Sequence, residues 1–137
     1  MHIPPRITVR KTMMYKSDLR EEINRLHAEV CSALADPIRI LILYSLAEQR
    51  SNVGDLARNL DFPQPTISRH LKILRERSMV THERQGQSVL YGLKDMRVIQ
   101  ALDLLRGILA DNLKTQSSLA EQANEMLEPT QSSEDPK

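Results

Sequence analysis

The sequence predicts a mainly α-helical fold carrying one small β-hairpin, and three observations point there. Apolar residues recur at three- and four-residue spacing along most of the chain, the mark of amphipathic helices. One stretch, VTHERQGQSVLYGL from Val80 to Leu93, instead alternates as a strand does, turns at Gln85-Gly86 and resumes with Val89, Tyr91 and Leu93 two apart. Immediately before it, NVGDLARNLDFPQPTISRHLKILR from Asn52 to Arg75 reads as two short helices joined by a tight turn.

Taken in order, Met1 to Lys16 holds Pro4, Pro5, Arg6, Arg10, Lys11 and Lys16 without clear periodicity, so residues 1–16 are expected to be a flexible basic arm, or simply an untied terminus. From Ser17, a capping residue followed by Asp18, Glu21 and Glu22, the positions Leu19, Ile23, Leu26, Val30 and Leu34 define an amphipathic helix over 17–35. Asp36-Pro37 ends it and opens the next helix, with Ile38, Leu41, Ile42 and Leu46 inward and an end near Glu48 to Ser51.

In the helix pair, Val53, Leu56, Ala57 and Leu60 form the apolar face of the first member, and Ile67, Leu71 and Leu74 that of the second. Pro63 and Pro65 make the second helix start sharply near Pro65, since proline disfavours helix before it and fits a first turn. Such an end presents free N–H groups and a positive dipole, which suits a phosphate. With the hairpin directly downstream, the unit reads as a winged helix-turn-helix. In that arrangement the start of the second helix meets base edges in the major groove, which makes Gln64, Thr66, Ser68 and Arg69 base readers. Lys72 and Arg75, further along, and Arg84 and Gln87, on the wing, are phosphate or groove contacts. A helical hairpin with a solvated charged face is the bland alternative, and the adjoining wing argues against it.

After the wing, Asp95 to Leu127 reads as one long helix. Val98, Leu102, Leu105, Leu109 and Leu113 form one stripe, and Ala101, Leu104 and Ile108 widen it. Two stripes exceed what one winged domain covers. The helices over 17–35 and 95–127 are therefore expected to pair with a second copy across a two-fold axis, inside one domain over 17–127. The polar end EPTQSSEDPK, residues 128–137, is expected to be a disordered acidic tail.

Composition bounds the function. A chain of 137 residues with 40% apolar and 27% charged content is an ordinary single domain, and no run is long enough to span a membrane. The N-terminus lacks a signal peptide's apolar core, which makes the cytoplasm the default location. The net charge of +1 conceals a segregation: Phe62 to Lys94 has six basic residues against two acidic ones, while Ala120 to Lys137 has one against five. A basic reading head with an acidic tail is consistent with double-stranded operator DNA as partner.

The residues ALADPIRILIL at Ala33 to Leu43, VGDLA at Val53 to Ala57, QPTISRHLKILRE at Gln64 to Glu76 and VLYGL at Val89 to Leu93 together resemble the ArsR-type (ArsR/SmtB) transcriptional repressors. The resemblance covers roughly the central half of the chain. It implies a homodimeric DNA-binding repressor, many of whose relatives release their operator on sensing a metal, metalloid or sulfur species. For His70, within SRHLKIL, it implies a structural or phosphate-contacting role.

The familiar sensor sites of such repressors are depleted. Where many carry cysteines before the recognition helix, this chain has Asn52-Val53-Gly54-Asp55. Where others use the last helix, it has Asp95, Asp103 and Asp111 but no His after His82. Carboxylates alone hold soft and borderline ions weakly, so neither a metal nor another cofactor is expected, and the inducer is unknown. Cys31 with His27 four residues earlier is the remaining alternative, a thiol- or metal-responsive pair. Because Cys31 abuts the stripe through Val30 and Leu34, the preferred reading is a small buried hydrophobe. An enzyme using Cys31 and His27 lacks an orienting third group and an oxyanion hole. A DNA-binding protein controlled by a protein partner instead of a small molecule stays open.

Overall fold

The computed structural model describes residues 9–127. The expected arm falls partly outside that range, over residues 1–8, as does the expected tail over 128–137. Helix α1 spans Val9–Arg25, beginning ahead of Ser17. No proline or glycine separates Val9 from Ser17, and a capping preference of about 1 kcal/mol does not by itself stop a helix.

The expected single helix over 17–35 is interrupted by a π-helical turn, Leu26–Cys31. Its cause lies elsewhere in the fold. The Ala28 carbonyl accepts the Ser32 hydroxyl at 2.6 Å and the Arg77 guanidinium from far along the chain. With that carbonyl occupied, the Ser32 N–H reaches back one residue further, to the His27 carbonyl at 3.0 Å, which is the π spacing.

Asp36 then caps helix α2 (Pro37–Glu48), its Oδ1 accepting the Ile38 N–H at 2.8 Å, with Pro37 in the first turn. Ile42, Leu43 and Leu46 are its buried residues. The expected inward set needs correction here. Leu41 is 44% exposed and Ile38 half-buried, while Leu43 is fully buried. The run ILILYSL is apolar all round, so spacing alone does not select its face.

Helix α3 (Val53–Leu60) is capped by Asn52, whose Oδ1 accepts the Asp55 N–H at 2.8 Å. Asp61 adopts left-handed backbone, φ 62°, and the Phe62 N–H returns to the Ala57 carbonyl, closing α3 as a Schellman motif. Helix α4 (Gln64–Glu76) follows at once from Pro63 and ends the same way, with Ser78 at φ 59° and the Met79 N–H bonded to the Leu74 carbonyl at 2.8 Å.

Strands β1 (Val80–Gln85) and β2 (Ser88–Leu93) pair antiparallel from Val80↔Leu93 to Gln85↔Ser88. The turn therefore sits on Gly86-Gln87, one residue beyond the expected Gln85-Gly86. Gly86 takes φ 63°, the sign that a two-residue hairpin loop needs at its first position and that glycine supplies without strain. Ser51 adds a bridge to Tyr91 through two backbone bonds of 2.8 and 3.0 Å, laying the end of the α2–α3 connection beside the hairpin.

The core of this unit is Ile42, Leu43, Leu56, Ile67, Leu71 and Leu74, each essentially solvent-free, flanked by Ala57, Val80 and Tyr91. Each such Leu or Ile contributes about 1.5–3 kcal/mol by leaving water. Three helices and a hairpin thus share one aliphatic interior that fixes the outward face of α4. The chain divides at Met96 and Arg97, and the second unit is helix α5 (Arg97–Leu127). Along it Ile99 and Leu102 are buried, whereas Leu104, Leu105, Ile108, Leu109 and Leu113 are between 54% and 73% exposed. Leu19 and Ile23 of α1 and Leu26 of the π turn are likewise exposed.

Candidate nucleic-acid interface

The alternation of buried and open positions along α4 sorts its side chains. Ile67, His70, Leu71 and Leu74 are buried, and Gln64, Ser68, Arg69, Lys72 and Arg75 are open to solvent, with Thr66 half-buried. The predicted readers and phosphate contacts of this helix, His70 excepted, lie off its buried side. Gln64 stands over the first turn of α3: a Cβ on Gly54 would come within 3.3 Å of the Gln64 Nε2. The helix start is a poorer anion site than expected, because Pro65 has no N–H and the Thr66 N–H is bonded to the Pro63 carbonyl at 3.0 Å.

On the wing, Arg84 and Gln87 are exposed. The hairpin folds beside α4 so that Ser68, Lys72, Arg75 and Glu76 face His82 and Tyr91 across an open groove of about 540 Å³. His82 and Glu76 are members of this surface that helical and strand periodicity did not bring to it. Glu83, on the other face of β1, is paired with Arg50 at 2.7 Å.

His70 turns inward instead of toward a phosphate, so of its two implied roles the geometry supports the structural one. Its Nδ1 lies 3.1 Å from the Arg39 guanidinium and its Nε2 4.0 Å from Asp36 Oδ1. Burial pushes its pKa below the ordinary histidine value; Asp36 pulls it up, but Arg39 and Arg69 push down with burial. For Asp36, burial would raise the pKa, yet the Ile38 N–H, the His70 ring and Arg39 outweigh it and hold the carboxyl below the usual value.

Two arginines, Arg39 on α2 and Arg77 just past the end of α4, reach the segment after α1. Arg39 donates to the Ala33 carbonyl at 2.7 Å and the Ser32 carbonyl at 3.2 Å, and Arg77 donates to Ser32 Oγ at 2.8 Å and to the Ala28 carbonyl. Arg77 therefore serves the packing of that segment and not the reading face to which its charge was assigned. Arg39 sits in the apolar run PIRILIL, where a lone guanidinium is itself the signal that a buried acceptor awaits it.

Cys31 is exposed in the single chain, which corrects the buried reading of its thiol. His27, on the same π turn, is exposed too. Among the described residues no group of three or more His, Cys, Asp or Glu side chains is placed to hold a metal ion. No described helix is long and apolar enough to cross a membrane.

Residues 36–81 match the family model described as bacterial regulatory protein, arsR family. The chain is 48% identical over 67 residues to the HTH-type transcriptional repressor SmtB of Mycobacterium tuberculosis, a match covering 49% of this chain and half of that protein's length. It is 33% identical over 93 residues to the nodulation protein NolR of Rhizobium meliloti, covering 68% of this chain and 76% of the relative. In structure it resembles Rv0081 of M. tuberculosis, with a TM-score of 0.62 at 29% identity over 69% of this chain and 96% of that one. The chain thus spans half the length of the SmtB repressor, and the family-model match over residues 36–81 contains the helix pair.

Proposed function

The chain belongs to the ArsR family of bacterial regulatory proteins, and from that premise we propose that it is a sequence-specific DNA-binding transcriptional regulator, a homodimeric repressor lacking the family's usual metal-ligand sets. The observation that carries this reading is the open face of α4. Gln64, Ser68 and Arg69 stand at the helix start with Lys72 and Arg75 behind them, and the Arg84 wing lies alongside. An amide, a hydroxyl and a guanidinium are the groups that pair with base edges, while the cations behind them neutralise phosphates.

Homodimerisation is supported by the leucines of α5 and the apolar residues of α1 that one chain leaves in water. A two-fold dimer would set two recognition helices about 34–36 Å apart, one turn of duplex, and so call for a near-palindromic operator. The cytoplasm is the proposed location, because that is where a bacterial regulator meets chromosomal DNA.

The test is selection of bound duplexes from a random-sequence pool, followed by titration of the winner at several salt concentrations. A palindromic consensus is expected, with log affinity falling against log salt by about 0.9 per phosphate neutralised. Recovery of no common sequence would overturn the reading.

A further inference from the structure

Strand β1 sorts its charges by face. Alternation places Val80, His82 and Arg84 on one side and Thr81, Glu83 and Gln85 on the other. On the second side the Glu83 carboxylate is bound by Arg50 at 2.7 Å. On the first, His82 pairs across the sheet with Tyr91, and both line the groove against α4 together with Ser68, Lys72, Arg75 and Glu76. The groove is thus walled by two cations from the recognition helix and one imidazole from the wing, with a hydroxyl on the helix side. An open groove with two cations on one wall and an imidazole on the other fits a phosphodiester.

Resting on the DNA-binding reading above, we infer that one phosphate of the duplex backbone seats in this groove, and that His82 is the wing's contribution to holding it. Lys72 and Arg75 supply charge from one wall. His82 presents a ring N–H from the other whichever tautomer it adopts. Ser68 donates its hydroxyl. Glu76 is the opposing element: a carboxylate on the same wall weakens the grip on every duplex alike. The groups facing His82 are therefore Lys72, Arg75 and Glu76 from α4 and Tyr91 from β2, with Arg84 on its own strand.

The experiment compares wild type, His82→Ala, His82→Lys and Glu76→Gln in fluorescence titrations, using one labelled mixed-sequence duplex and one duplex selected by the wild-type protein. For His82→Ala, affinity for both duplexes should fall by roughly tenfold, the order of one charge-assisted hydrogen bond. His82→Lys should bind both duplexes at least as tightly as wild type, and Glu76→Gln should tighten binding to both duplexes by roughly threefold. If wild type shows a steep salt slope while His82→Ala and Glu76→Gln match it on both duplexes, the inference is wrong and the DNA-binding reading stands. Loss on the selected duplex alone would mean a base contact and would also overturn it. Failure of wild type to bind either duplex would remove the reading beneath it.

Discussion

The Nδ1 atom of His70 lies 3.1 Å from an Arg39 guanidinium nitrogen, and because a guanidinium can only donate, the imidazole must accept there and be neutral. Protonation would place a hydrogen on each side of that contact and two like charges against each other.

Stability should therefore fall on mild acidification. The folded ring holds its proton less readily than the unfolded one, whose pKa is near 6.5. Above that value both states are neutral and the contact contributes fully. As pH drops below it the unfolded chain protonates first, and stability declines until the folded ring titrates as well. Asp36, also held low, adds a second loss in the same direction below the ordinary carboxyl value of 3.8. Urea midpoints measured from neutral pH downward should show this decline, and His70→Gln should flatten its upper part. A midpoint rising on acidification would contradict the assignment.

Removing Arg77 should straighten the turn after α1. In Arg77→Ala the Ala28 carbonyl loses one of its two side-chain donors, and a loss of about 1–2 kcal/mol is expected from the broken bonds. Amide exchange at residues 26–35 should accelerate in this variant. Unchanged protection there would mean that the π turn does not depend on Arg77.

The two hairpin glycines should fail for different reasons. At Gly86 nothing obstructs a Cβ but φ is 63°, so Gly86→Ala is expected to cost about 1–2 kcal/mol and Gly86→Asn much less. At Gly92 a Cβ would meet Thr81 Oγ1 at 3.0 Å and Arg50 Cγ at 3.1 Å, so Gly92→Ala should be partly relieved by trimming Arg50 to Ala, whereas Gly86→Ala should not. Thermal melts of the double variants distinguish the two.

Leu105 and Leu109, 58% and 57% exposed, are the residues whose change should abolish self-association. In the double Ser variant sedimentation should report a monomer with helix content largely retained, because those side chains stabilise nothing in the isolated chain. A dimer surviving this change would move the interface off α5.

Base readers and phosphate contacts should separate by their response to sequence. Gln64→Ala or Arg69→Ala is expected to cost about 1–3 kcal/mol at particular base pairs only. Arg84→Ala should weaken all duplexes together. Retention of sequence preference after changing Gln64, Thr66, Ser68 and Arg69 together would displace the recognition helix.

What the sequence makes legible is what local chemistry decides. Asp36-Pro37, Asn52 and Pro63-Gln64-Pro65 mark helix starts by capping and proline, and the open side of α4 follows from its period. Where the outcome depends on distant partners, local signals fall short. His70 is claimed by Arg39 on another helix, and the Ala28 carbonyl by a guanidinium 49 residues away. His82 and Glu76 become neighbours only once the hairpin lies beside α4. The hairpin's turn is misplaced by a residue because Gly86 has to be the first loop position, which alternation alone does not reveal. Leu41 and Leu43 exchange roles because their helix is greasy on every side, and Cys31 stays open on a segment whose stripe neighbours Leu19, Ile23 and Leu26 are open too.

That turn also acts as a phase shift. A π turn accommodates one residue more than the α-helical repeat, so everything upstream of Leu26 is rotated by roughly 100° about the axis relative to a wheel drawn back from Leu34. The stripe Leu19, Ile23 and Leu26 thereby points along a different meridian from Val30 and Leu34. A deletion of one residue between Leu26 and Cys31 would restore an unbroken wheel and swing that upstream stripe around the cylinder without altering a single apolar side chain. The direction in which that stripe faces would then be set by one hydrogen-bond step, at a carbonyl that Arg77, just past the end of α4, also binds.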